Sequence, residues 1–425
     1  MSSTKVNCLS GCCILQPDRT TAEMTILQND QRPLAGIKVL ELGQLIAGPQ
    51  AGCVLAYFGA EVIKVEPPGS GDGIRGWRKL DSTGTSYWWQ SIARNKKSVT
   101  VNLRTDEGRA VVKKLMAEVD VVLENFRPGT LEKWGMDPVE MNKIHPRLIF
   151  ARVSGYGQTG PRAAQPGYAS ACEAYGGFRY VNGFADRPPV RPNLSLGDTL
   201  ASMHAVIGVL LALFGRNGSG RGQVVDVSIF ESVYNMMESV VPEYSAEKVI
   251  REPSGSTLTG IVPTNTYLCS DRKYVVIGGN GDSIYKRLMI CAGREDLAAD
   301  ERMADNAGRV KHEPEIDKAI TDWTAEFTST EVLESLAAAE VPCGPIYSVE
   351  DMFNDPHYHA RGLFERVEYA GGELDVAAIH PRLSETPGRT DSGGPDLGQH
   401  TDEVLKNYLE LSDREISELR AADVI

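Results

Sequence analysis

What most constrains this chain is a rhythm in its first half, where short apolar runs alternate with helix-patterned stretches. "GIKVLELG" suits a buried strand, and the glycine-rich turn and short helix of "AGPQAGCVLAYFGA" follow it. "EVIKVEPPG" is a second strand, stopped by two prolines. The pattern recurs with "KSVTVNL" as strand, "TDEGRAVVKKLMAEV" as helix, "DVVLENF" as strand and "RLIFARVSGYG" as another strand. Strands alternating with helices predict a parallel, doubly wound α/β sheet. Such a sheet invites a dinucleotide, with Glu66 as ribose ligand. Glycines 43, 48 and 52 miss the GxGxxG spacing that a close pyrophosphate approach needs, which argues against that use.

Further along, "LGDTLASMHAVIGVLLALFGRNGSG" reads as one long apolar helix that opens at Asp198. Two roles compete for this carboxylate. Asp is a favoured N-cap, its oxygen accepting a first-turn N–H. A carboxylate held at a helix N-terminus can also serve as a nucleophile. "GSGRGQVVDVSIFESVYNMM" supplies a turn, a strand and a helix, and from about Glu252 the texture changes to that of a smaller α+β unit. There "PTNTYLCSDRKYVVIGGNG" reads as two strands around an Asp-Arg turn and then a glycine loop, either a plain hairpin turn or a mobile flap. The expected organisation is an extension over 1–33, a large domain over 34–251, a small one over 252–345, and a return to the large domain over 346–425. Order is expected from Leu34, with Met24 as an alternative start. Thr401 and Ser412 read as caps of two closing helices, Ser412 forming a capping box with Glu415.

Composition narrows the function. A formal net charge of -13 argues against a general nucleic-acid binder. Against that acidic background, Arg75, Arg78, Lys96, Lys97, Arg104, Arg127 and Lys133 fall near strand ends, where they suit either a solvated surface or a phosphorylated ligand in a sheet crevice. The eight cysteines form no CxxC pair, and His357 and His359 fit a surface loop better than a metal site. No metal is expected, and the thiols suit a reducing compartment, cytoplasmic or, in a eukaryote, the mitochondrial matrix. The first thirty-odd residues lack a secretory or transit pattern. The longest apolar run, Ala205–Phe214, is shorter than a membrane span, so no membrane partner is expected.

Taken together, "GIKVLELGQLIAGPQAGCVLAYFGAEVIKVEPPGSGD", "ENFRPGTLEKWGM", "SGYGQTGP", "LGDTLASMHAVIGVLLAL", "GRGQVVDVSIFES" and "LGQHTDEVL" resemble the class III CoA-transferases, in matching order from Leu34 to Ile425. The resemblance implies a Rossmann-like large domain plus a smaller α+β domain, interlocked as rings with a second copy in a homodimer. It implies that Asp198 is the catalytic nucleophile as well as a cap. Racemases of the superfamily carry a histidine in the segment that here reads "AAQPGYASA"; this chain has Tyr168 there, as the transferases do. A racemase needs a group on each face of the α-carbon, so the transferase branch is favoured over an isomerase, and a non-catalytic CoA-binding protein ranks behind both.

By the same resemblance, Gln44 and Ala47 flank the thioester end of CoA. Asn125 and Phe126 line its channel, Arg104 meets its phosphates, and Gly278, Gly279 and Gly281 form a flap. Family arginines fall here at Pro67 and at Lys133, and a lysine keeps the charge without the bidentate fork. Asn280 replaces one glycine of the flap in the family's formyl-CoA:oxalate CoA-transferases. The implied substrates are an acyl-CoA such as succinyl-CoA and a small mono- or dicarboxylic acid, with no cofactor beyond CoA itself as co-substrate.

Overall fold

A computed structural model of the protein describes residues 30–425. The alternative start at Met24 and most of the expected extension lie outside the described residues. Within them, Arg32 pairs with Asp30 and with Asp391, and Leu34 is already buried.

Six strands form one sheet: β1 (Lys38–Glu41), β2 (Glu61–Glu66), β3 (Lys96–Thr100), β4 (Val121–Glu124), β5 (Ile149–Ser154) and β6 (Val224–Ser228). All pair in parallel, in the order β3-β2-β1-β4-β5-β6. The helices that matter below are α1 (Ala47–Tyr57), α2 (Asp106–Ala117), α3 (Ala169–Tyr175), α4 (Leu196–Ser219), α5 (Asp282–Cys291), α6 (Thr401–Leu409) and α7 (Asp413–Ala421).

Successive strand residues point to opposite faces, and here both faces are covered. Val39, Val62, Val121, Ile149 and Ala151 pack with α1 and α4, on Ala51, Leu55, Ala201 and Ala205. Leu40, Ile63, Val122 and Phe150 face the other way and meet α2, α6 and α7 through Val112, Leu115, Leu405 and Ile416. Burial on both faces is why these strands read as continuous apolar runs rather than alternating ones. The chain order reverses between β1 and β4, leaving a crevice beyond their carboxyl ends, where open parallel sheets bind ligands.

A three-stranded antiparallel sheet, β7 (Thr264–Leu268), β8 (Tyr274–Gly278) and β9 (Cys343–Pro345), packs on α5 with a core of its own around Val275, Ile277, Leu288, Ile320 and Leu336. A hairpin, β10 (Phe364–Tyr369) with β11 (Gly372–Ala377), follows.

Three local expectations are corrected. Ser412 caps α7 with the expected box, but the cap position of α6 falls on His400; the Thr401 hydroxyl, one residue inside, accepts the Thr100 N–H instead. His357 and His359 sit exposed on a short helix, Pro356–Ala360, rather than a loop. Finally, α4 has 24 residues and is by length and composition apolar enough to span a membrane. One of its faces lies in the core, while Met203, Ile207, Leu210, Leu211 and Phe214 are exposed on the other.

Candidate active site

The loop after β1 is fixed from three sides. Leu45 takes a left-handed conformation, φ 66°, uncommon for a branched residue. Its N–H donates to both oxygens of Asp72, at 3.0 and 3.1 Å. Lys64, fully buried on β2, donates 2.6 Å to the Gly43 carbonyl and pairs with Asp72 and Glu41 at 2.8 and 3.1 Å. Burial opposes the Lys64 charge, but the Asp72 and Glu41 carboxylates outweigh it and hold the ammonium above its ordinary value. The third tie crosses the crevice. The Gln44 N–H donates to Asn125 Oδ1 and Asn125 Nδ2 donates to the Gln44 carbonyl, both at 2.7 Å, so one side chain straps the β1 loop to the β4 loop. Gly43 and Gly48 lie against each other under this strap, and an added Cβ on Gly43 would stand 3.2 Å from Asn125 Oδ1.

Across the crevice α4 begins. The Ser202 hydroxyl lies 2.7 Å from both the Ala47 and the Asp198 carbonyls, tying the start of α1 to the first turn of α4. Asp198 is the third residue of α4, not its cap, and its carboxylate has no hydrogen-bond partner among the described residues. The cap is supplied from elsewhere: Glu173, fully buried on α3, accepts the Gly197 N–H at 3.1 Å and pairs with Arg179 at 3.3 Å. The capping expectation for Asp198 is therefore overturned. Burial chiefly, and then the Glu173 charge, push the Asp198 carboxyl up to about 6, with Arg191 pulling the other way. Burial, with Asp198 and Glu173 adding to it, also pushes the neighbouring Cys172 thiol up to about 11, so this thiol stays protonated near neutrality.

These groups enclose a cavity of about 400 Å³ lined by Gln44, Ala47, Asn125, Phe126, Tyr168 and Asp198, with Arg127, Ser170, Arg191 and Ser195 among the other walls. It opens at the strand-order reversal, and among the described residues no histidine lines it. Among the described residues no set of His, Cys, Asp or Glu side chains converges as metal ligands would.

The CoA-transferase family III profile matches residues 34–401. The chain belongs to that family. Succinyl-CoA–D-citramalate CoA-transferase of Chloroflexus aurantiacus is 46% identical over 94% of this chain and 99% of its own length. Succinate–glutarate CoA-transferase of Agrobacterium fabrum is 34% identical, over 90% and 97%. The crystal structure of a CAIB/BAIF family protein from Brucella suis superposes with a TM-score of 0.78 at 33% identity, covering 88% of this chain and 99% of that one.

Of the residues assigned by resemblance to this family, Gln44, Ala47, Asn125, Phe126, Tyr168 and Asp198 are brought together in the cavity. Arg104 and Lys133 are not among its walls; both are exposed, without an ion-pair partner among the described residues. Gly278, Gly279 and Gly281 lie at the end of β8 and the start of α5, also outside the cavity wall. Their loop is anchored. The Gly279 N–H donates to the Pro263 carbonyl at 2.9 Å, and the fully buried Arg309 donates 2.7 Å to the Asn280 carbonyl. A Cβ on Gly279 would stand 2.5 Å from the Leu288 side chain, which would have to shift to admit it.

Several of the basic residues near strand ends are committed internally rather than offered to a phosphate. Arg75 pairs with Glu66 at 2.7 Å and stacks 3.6 Å over the Trp89 ring. Lys96 pairs with Glu41, and Lys97 bridges Glu61 and Glu403, each at 2.8 Å. Arg78 lies 4.2 Å over the Trp88 ring. Sequence reasoning missed Glu173 and Arg191. The first carries no local signal, because its partners lie on another helix; the second precedes Asp198 by only a few residues in the same segment.

Proposed function

We propose that this CoA-transferase moves CoA from succinyl-CoA to a small carboxylic acid through covalent intermediates on Asp198, acting as a homodimer. One observation carries the reading: in a chain of this family, the cavity at the strand-order reversal holds a half-buried carboxylate with no hydrogen-bond partner among the described residues. A carboxyl titrating near 6 is largely ionised at neutral pH and more basic than an aqueous aspartate, both of which suit a nucleophile. An Asp198 oxygen attacks the thioester carbonyl, the C–S bond breaks, and CoA thiolate leaves a mixed anhydride. The thiolate attacks the aspartyl carbonyl, expels the donor carboxylate and forms an aspartyl-CoA thioester. The acceptor carboxylate attacks that thioester, releasing the thiolate and forming a second anhydride. The thiolate then attacks its acyl carbonyl, giving the new acyl-CoA and free Asp198.

The named relatives act with succinyl-CoA or succinate and with D-citramalate or glutarate, which supports a dicarboxylic donor and acceptor here. An isomerase would need a second proton-transferring group on the far face of the α-carbon, and the cavity wall offers Tyr168 but no histidine. The apolar residues exposed along α4 support a second copy as their cover.

Incubation with succinyl-CoA and no acceptor should attach CoA to the peptide containing "LSLGDTLASMH", in a linkage cleaved by hydroxylamine. Asp198→Asn should form no adduct and lose nearly all transfer. An adduct on another peptide, or an Asn variant active near the normal rate, overturns the assignment.

A further inference from the structure

Two guanidinium groups, Arg127 and Arg191, are the cations among the described residues of the cavity wall, and they differ in place. Arg127 follows Asn125 and Phe126 at the carboxyl end of β4, on the side assigned above to CoA. Arg191 enters from the other side, on the segment that leads into α4, and its charge is felt by Asp198. Elsewhere in the chain, arginines of low exposure are held by carboxylates. Arg75 pairs with Glu66, Arg152 with Glu124 and Glu132, Arg179 with Glu173, and Arg216 with Asp120. Arg191, which is exposed, has no such partner among the described residues. Its guanidinium donates only to the carbonyls of Pro192 and Leu194, each at 3.3 Å, in its own loop.

The electrostatics of the cavity make an unpaired cation at this point consequential. Asp198 and Glu173 already place two carboxylates at the head of α4, so a substrate bearing a free anionic tail would be repelled unless a positive group received it. A guanidinium presents a planar fork of donors that matches a carboxylate with two parallel hydrogen bonds. A monocarboxylic acyl group would leave that fork without a partner, and a site built to bond a polar group discriminates against analogues that lack it.

We propose that Arg191 receives the distal carboxylate of a dicarboxylic acyl group and is the residue that makes this cavity select dicarboxylic over monocarboxylic CoA esters. This rests on the transfer reaction proposed above. Tyr168 and Ser170 also line the cavity and bound the space open to an acyl chain extending from Asp198.

The test compares succinyl-CoA with butyryl-CoA, which has the same four-carbon chain without the distal carboxylate. The readout is the apparent second-order rate at which each donor labels the Asp198 peptide with CoA, followed by mass spectrometry on the full-length protein. The wild-type protein should prefer succinyl-CoA. In Arg191→Gln the succinyl-to-butyryl ratio should fall by about 10- to 100-fold, the range of a charge-assisted hydrogen bond lost from a site. Arg191→Lys, which keeps the charge without the fork, should recover part of that ratio. A ratio unchanged in Arg191→Gln, or equal losses with both donors, overturns the assignment to Arg191. Absence of label from either donor in the wild-type protein would instead overturn the aspartyl-transfer reading itself.

Discussion

Replacing Asp198 by asparagine should abolish transfer and at the same time stabilise the protein. The carboxyl titrates near 6 in the fold against an ordinary 3.8, chiefly because of burial, with Glu173 adding its charge. A folded-state value above the unfolded one means that the folded chain binds this proton more tightly. Stability tied to the group is therefore complete below about pH 3.8 and is lost as pH rises through about 6. The rise amounts to about 3 kcal/mol of penalty on the anion at neutral pH. Asparagine keeps the size, carries no charge and breaks no hydrogen bond of the side chain, because the carboxylate makes none among the described residues. The variant should gain about 3 kcal/mol at pH 8, and the gain should shrink by about half at pH 5. With an unfolding entropy of roughly 2 cal/mol/K per residue, this is a rise of about 2–4 °C in melting midpoint. Thermal melts of both proteins at the two pH values, without any acyl-CoA that would bind only the folded state, make the comparison. An Asn variant that melts below wild type at both pH values, or a gap that ignores pH, would refute the reasoning.

Glu173→Gln keeps an oxygen to accept the Gly197 N–H but removes the charge beside Asp198, so the acid limb of the kcat/KM profile should move down by about one pH unit. A limb that stays in place, measured with succinyl-CoA, would leave Glu173 with a capping role alone. Lys64→Met leaves the buried Asp72 without its ammonium partner and Glu41 with Lys96 alone. A loss of about 3–5 kcal/mol should appear in denaturant unfolding, and a variant as stable as wild type would contradict the part assigned to this cluster.

The sheet was legible because its central strands β1, β4 and β5 are buried on both faces and so read as largely apolar runs between turn residues. Asp198 was legible as the acidic opening of a long helix. What escaped notice depends on strand order. Asn125 reaches Gln44, and Lys64 reaches Asp72 and Glu41, only because β4 and β2 flank β1, an arrangement that alternation of elements leaves open. The same holds for the cap of α4. Asp198 has the residue type of an N-cap, yet it lies inside the first turn, where the free Gly197 N–H is taken by Glu173 on another helix. Whether a lysine or arginine near a strand end is spoken for is likewise a tertiary fact, and it separates Lys96 and Arg75 from Arg127.

The penalty on the Asp198 anion also bears on the proposed chemistry. Acylation turns the carboxylate into a neutral anhydride or thioester carbonyl, which removes the charge that burial and Glu173 disfavour. The roughly 3 kcal/mol carried by the resting anion is then released as the covalent state forms, on the order of a hundredfold in the acylation equilibrium relative to an aqueous carboxylate. Full protonation would remove the nucleophile, so the useful range of such a shift is bounded. A carboxyl near 6 remains mostly ionised at neutral pH, whereas one raised another two units would not. Arg191 opposes burial and Glu173, in the direction that favours the ionised form. When a substrate carboxylate occupies the guanidinium, that opposing charge is neutralised, so the anion at Asp198 becomes still less favourable at the moment an acyl carbonyl is at hand to discharge it.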